Sequence, residues 1–165
     1  MPDLRSWTSS KTASSWRGIG PRTPFTLLLI TLLLSLITVI IAVILNITSA
    51  NEEGNDYGPG TGWVIMMPGP SLALLWTAIS IIMCRYARFS PGLALSTFGV
   101  FALGLIAEGI FTIMAYDWQT TELGWFPGVF MIILAIDCAI FSGYAVVALR
   151  RRGNIKDTAS EIESR

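Results

Sequence analysis

Residues 25–47 read FTLLLITLLLSLITVIIAVILNI, an apolar run without a single charge. A helix needs about 20 mainly apolar residues to cross roughly 30 Å of hydrocarbon, and this run supplies them. Three further stretches qualify: residues 63–84, 93–115 and 127–149. Short polar connections between the four make sequential neighbours run in opposite directions. Lipid admits only segments whose backbone hydrogen bonds close internally. The expected fold class is an all-α membrane protein, an antiparallel four-transmembrane-helix bundle over residues 25–149. Residues 1–24 read as a disordered basic tail, and 150–165 as a second tail, basic and then mixed in charge.

Composition points the same way. Of 165 residues, 53% are hydrophobic and 13% charged, and mean hydropathy is +0.62. Soluble domains carry about 25% charged residues. A water-soluble core of this size could not hide so much apolar surface. With no histidine and two cysteines, the chain lacks the means for His-based catalysis, the usual zinc sites or a disulfide scaffold. A formal net charge of zero argues against nucleic acid as a partner.

The basic residues orient the chain. Arg5, Lys11, Arg17 and Arg22 precede the first span, Arg85 and Arg88 follow the second, and Arg150, Arg151, Arg152, Lys156 and Arg165 follow the fourth. Loops 48–62 and 116–126 hold no Lys or Arg, only Glu52, Glu53, Asp56, Asp117 and Glu122. Positive residues near span ends stay in the cytosol, which puts both termini and the second loop there. A signal peptide cleaved near Thr48-Ser49-Ala50 is the competing reading. The first apolar run is too long for a signal h-region of about 7–15 residues, so a retained span is expected.

Within the tail, Gly18, Gly20, Pro21 and Pro24 forbid one helix running into the membrane. Trp7 and Trp16 among the four cations suit contact with an anionic headgroup layer, as an alternative to plain disorder. Phosphorylation of the tail's hydroxyls would weaken such contact. The Gly-rich acidic segment 51–62 reads as a solvated turn, since it lacks the ligand order of a calcium loop. Asn46-Ile47-Thr48 matches the glycosylation sequon but sits against the bilayer. In the second span, Pro68-Gly69-Pro70 predicts a kinked or broken helix, with residues 63–67 as its outer third and a restart at Pro70. The stretch with the backbone carbonyls left over should lie outside the deepest hydrocarbon, or against another helix whose Ser or Thr side chains reach it, with Trp63 marking the outer interface. Arg150-Arg151-Arg152 is a cytosolic anchor first and a lipid-recognition cluster second.

Glu108 and Asp137 are acids inside the third and fourth spans. A carboxylate in hydrocarbon costs at least about 2.5–3.5 kcal/mol on insertion scales. Helical rise puts Glu108 roughly 10 Å and Asp137 roughly 15 Å below the outer surface, close enough for the carboxyls to meet. With no intramembrane cation to pair with, they read as proton-bearing interhelical glue, with Ser35, Thr38, Thr77 and Ser80 as hydroxyl partners. A proton or substrate relay is the alternative. Ala135, Ala139 and Gly143 form a small-residue seam on the fourth span, and Gly104 should pack closely beside Glu108. Cys84 and Cys138 lie at depths too different for a disulfide, so both are expected as free thiols. Cys84 beside Arg85 is a candidate for lipidation by S-acylation.

No nucleophile elbow, phosphate-cradling loop or metal cluster is present in the sequence. No cofactor is expected. The stretch Ser71-Leu72-Ala73-Leu74-Leu75-Trp76, the Arg85/Arg88 turn, and Ile136-Asp137-Cys138-Ala139 leading to the basic stop resemble the MARVEL-type four-helix membrane proteins of the fungal kind, over residues 25–152. That resemblance implies a non-enzymatic role in membrane organisation, lipid domains or trafficking. The expected partners are membrane lipids, further copies of the chain or other membrane proteins. The expected location is the plasma membrane or an endomembrane of the secretory pathway. The alternative is a small transporter or proton-coupled carrier built on Glu108 and Asp137.

Overall fold

The computed structural model describes residues 8–16, 19–20, 22–49, 61–116 and 125–163. The expectations for Trp7, for the acidic segment 51–60, for cleavage at Ala50 and for the connection 117–124 fall outside them. Among the described residues six helices form: α1 (Ser10–Ser15), α2 (Thr23–Ser49), α3 (Thr61–Met66), α4 (Pro68–Tyr86), α5 (Pro91–Tyr116) and α6 (Phe126–Glu163). Four stretches are long and apolar enough to cross a membrane: Thr23–Ile47, Trp63–Tyr86, Pro91–Ala115 and Phe126–Arg151. They match the four expected spans to within two residues at every end. Prolines open α4 and α5 and sit second in α6, first-turn positions where a missing N–H costs nothing.

Burial follows a spacing of three and four. On α2 the inward positions are Leu28, Thr31, Ser35, Thr38, Ala42 and Asn46. On α4 they are Pro70, Ala73, Thr77, Ser80 and Cys84. Small and hydroxyl side chains fill these seams, which lets helix backbones approach. The hydroxyls of Thr31, Ser35, Thr38 and Thr77 donate to the carbonyl four residues back in their own helix, so none brings an unmet donor inward. The opposite faces carry exposed Leu33, Ile40, Ile44, Leu72, Leu75 and Ile82, the surface that lipid would cover.

Helix α5 packs most extensively on α6, α2 packs on α4 and α6, and α4 meets α5 over a smaller area. At one end of the bundle a core gathers Leu28, Cys84, Phe89, Ala94, Phe98, Phe141, Ala145 and Ala148. At the other, Ala42, Met66 and Met131 pack together. Between α5 and α6 the rings of Phe98 and Phe141 lie 4.4 Å apart. Toward the far end of the same pair, a Cβ on Gly128 would stand 2.6 Å from the carbonyl oxygen of Gly109. Both positions therefore require glycine.

Two expectations are corrected. The second span is broken, as the prolines demand, but at Met67, and the new helix starts at Pro68 rather than Pro70. Prolines in a first turn begin a helix as readily as they end one. The helix that carries the fourth span continues past it, through the arginines to Glu163, since Gly153 alone in 150–163 is a poor helix former and one glycine is tolerated.

The second correction concerns the tail. Ser10–Ser15 form a helix, capped by Ser9 whose hydroxyl accepts from the Thr12 N–H. Trp16 is fully buried rather than set among headgroups. Its indole stacks on Phe89 with ring centroids 6.1 Å apart, and Nε1–H donates to the Phe89 carbonyl at 2.9 Å. The Ser9 N–H donates to the Cys84 carbonyl at 3.0 Å, its hydroxyl donates to Ala87 O, and Thr12 Oγ1 accepts from the Phe89 N–H at 3.0 Å. The segment thus caps the carbonyls that α4 leaves unpaired at its end. Gly20, at φ +103°, turns the chain between α1 and α2.

Candidate functional site

The two intramembrane acids are the groups that composition alone cannot explain. Glu108 sits on α5 opposite the break in the second span. Its Oε1 accepts from the Gly69 N–H at 3.1 Å. Gly69 is second in α4, where an N–H has no partner four residues back. The carboxyl lies so close that a Cβ on Gly69 would overlap Oε2. The sequence reading looked to the freed carbonyls and did not anticipate a partner for this N–H. The break is served by a carboxyl, and it is served at a donor, because the restarting helix presents N–H groups.

Asp137 sits on α6 and faces α2. Its Oδ2 lies 2.6 Å from Thr31 Oγ1, and the same Oγ1 lies 3.0 Å from the Leu27 carbonyl. The Thr31 hydroxyl donates to Asp137 Oδ2 and shares its proton with the Leu27 carbonyl. The hydroxyl involved is Thr31, not Ser35, Thr38, Thr77 or Ser80. Ser80 Oγ and Trp76 Nε1 are buried without a hydrogen-bond partner among the described residues.

The acids therefore do not form the shared pair that their similar depths suggested. Each is spent on a different helix, Glu108 on α4 and Asp137 on α2. Depth was legible; azimuth was not. If the Asp137–Thr31 contact is a bond between helices, D137A and T31V should be non-additive. The expected coupling is near the upper end, about 1.7 kcal/mol, of values measured for such bonds in membranes. Unfolding of the four proteins of that cycle in mixed detergent measures it, and additive losses would sink the claim.

The small-residue expectations divide. Ala135 is fully buried, but Ala139 and Gly143 are exposed. A Cβ on Gly143 or on Gly104 would meet nothing within 4 Å. The close approach lies instead at Gly109 and Gly128, which the sequence reading passed over. Both flank the 117–125 connection, so a hairpin brings them to similar depth, and that was the available signal. Gly69 was noticed only as part of the helix break.

Cys84 and Cys138 are free and buried. Cys84 has no exposed surface, and α1 lies across the neighbouring carbonyls, so an acylating enzyme would find no thiol presented to it. Arg150 and Arg151 are exposed on the continuing turn of α6; the side chain of Arg152 lies outside the described ones. Trp63 is exposed beyond the break. Among the described residues no three of His, Cys, Asp and Glu gather into a group that could hold a metal ion.

Compared with protein families, with curated proteins and with solved structures, the chain shows no match.

Proposed function

We propose that this chain is a non-enzymatic multi-pass membrane protein that organises its membrane or the traffic through it by lateral contacts with lipid, with itself and with other membrane proteins. The observation that carries the reading is that each intramembrane acid is consumed in holding two helices of the bundle together. The MARVEL-type resemblance over residues 25–152 points to the same role. We propose the antiparallel bundle with both termini and the Arg85/Arg88 turn in the cytosol. The docking of Ser9–Trp16 on residues 84–89 supports a common side for the first segment and that turn. The pairing of Gly109 with Gly128 and of Phe98 with Phe141 supports opposite directions for α5 and α6. A plasma or secretory-pathway membrane accords with this reading.

Lateral contact needs an open face, and Gly104, Ala139 and Gly143 supply small residues with free space outside them. Gly143→Leu should leave the folded monomer intact, since nothing within the chain opposes it. The same change should abolish self-association, read as the number of photobleaching steps per spot in a lipid bilayer. Association should survive Glu108→Gln. A wild-type chain that bleaches in single steps at all densities would overturn the reading.

One observation favours the carrier alternative. Glu108 occupies the start of a broken helix, the place where transporters of that design bind substrate groups. On that reading Asp137→Asn abolishes a pH-dependent flux in reconstituted vesicles. A protein that moves neither protons nor solute leaves the organiser.

A further inference from the structure

The first helix has six residues, and isolated helices below about 12–15 residues are marginal in water. Its helical form therefore depends on its seat, and docked and released are two distinct states. The seat is narrow. One indole stacks on Phe89 and lies against Phe141, with centroids 6.1 Å apart in both pairs. Beyond it, the hydroxyls of Ser9 and Thr12 and the N–H of Ser9 bind the carbonyl end of α4 and the turn after it. The outward side is polar, with Ser10, Lys11 and Ser14 exposed. The turn at Gly20 lets α1 lift while α2 stays in place. Such a unit opens locally at far less cost than the bundle.

Ser9 is the control point, because its hydroxyl both caps α1 and ties it to its seat. It accepts from the Thr12 N–H at 3.1 Å to start α1, and it donates to Ala87 O to hold α1 down. We propose that Ser9–Trp16 is a detachable strap over this end of the bundle, and that phosphorylation of Ser9 releases it. A nucleoside triphosphate is the phosphoryl donor. A bond forms between Ser9 Oγ and the γ-phosphorus, the bond from that phosphorus to the leaving diphosphate breaks, and the hydroxyl proton passes to solvent. The product has lost the shorter of two donors to Ala87 O, leaving only Thr12 Oγ1 at 3.3 Å. It also sets about two negative charges against the carbonyls of Cys84 and Ala87, at the negative end of the α4 dipole. Among the described residues, the charged groups on α1 and on the 84–90 segment it touches are Lys11, Arg85 and Arg88. All three are exposed, so their attraction is screened and does not restore the lost bond. Release uncovers the rings of Phe89 and Phe141 beside the membrane surface and frees Trp16 for the same surface. The kinase step rests on the cytosolic placement proposed above.

Trypsin tests this on the full chain in detergent. Lys11 is exposed, but the Lys11–Thr12 bond lies inside α1 and is cut only when α1 unfolds. Mass spectrometry follows that cut. Trp16→Ala, which removes the anchor, should speed it about tenfold or more. Ser9→Asp should do the same and exceed Ser9→Ala, because aspartate keeps the cap on the Thr12 N–H but sets its charge against the carbonyls of Cys84 and Ala87. If S9D is cut no faster than S9A, the phosphorylation switch is wrong. If W16A is cut at the wild-type rate, the strap is not a separate unit. Detergent makes both readouts independent of sidedness. Cleavage of Lys11–Thr12 by protease added outside sealed right-side-out vesicles would refute the cytosolic placement, and kinase access with it, without touching the strap.

Discussion

Valine in place of Gly128 should destabilise the bundle by about 3 kcal/mol or more, at the upper end of what overpacking costs. The first added carbon would stand 2.6 Å from Gly109 O, 2.6 Å from Ile113 Cγ1 and 3.2 Å from Ile113 N. Two of those three atoms are backbone and cannot rotate away. Relief therefore requires α5 and α6, the most extensively packed pair, to separate along their length. Such separation would also loosen Phe98 from Phe141, whose ring centroids are 4.4 Å apart. Gly104→Ala and Gly143→Ala are the controls, since a methyl at either place meets open space. Alanine in a helix is favoured over glycine by about 1 kcal/mol, so both controls should hold or gain stability. The fraction folded against dodecyl sulfate in mixed micelles measures all three. Wild-type behaviour of G128V would mean that the two backbones do not touch.

The contrast between those glycines shows what a single sequence tells of such a fold. The spans were plain, because length and apolarity are properties of a segment taken alone. The break in the second span was plain too, because a proline's missing N–H is a local fact. Which face of each helix turns inward is not local. On α6 the stripe Ala135-Ala139-Gly143 looked like a seam, yet it leaves the buried face after Ala135; burial runs through Met131, Leu134, Cys138, Phe141 and Ala145 instead. Any apolar side chain can face lipid, so hydrophobicity cannot vote between faces in a membrane helix. Polar side chains can, and Thr31, Ser35, Thr38 and Asn46 mark the inward side of α2 without ambiguity. The candidate acids were legible for the same reason, while their partners were not. Thr31 and Gly69 become neighbours only once helix order and rotation are set. The seat of α1 was hidden further, because Trp16 among cations and glycines carries the signature of an interfacial tail, and the carbonyls that make its seat belong to residues 84–89.

Glu108 separates the two functional readings by chemistry that a proton count makes explicit. Glutamine keeps an oxygen in reach of the Gly69 N–H but cannot release a proton. Leucine has similar bulk and no acceptor at all. If the carboxyl is there to hold the second span at its break, E108Q should cost less than about 1 kcal/mol, since the hydrogen bond survives. E108L should cost about 1–3 kcal/mol, the penalty for an N–H left without a partner away from water. The same mixed-micelle unfolding measures both. A carrier inverts the order of damage in the functional assay. There the glutamine variant would be folded and dead to proton-coupled flux, because neutralising the group removes the step itself. Gly69→Ala refines the test further, because its methyl competes with Glu108 Oε2 for one volume. In wild type the carboxyl must swing away and give up its bond; in E108L there is no carboxyl to displace. Gly69→Ala should therefore cost less in the leucine background than in wild type. Equal costs in both would mean that the glycine is required for helix restart alone, and that Glu108 faces the break without holding it.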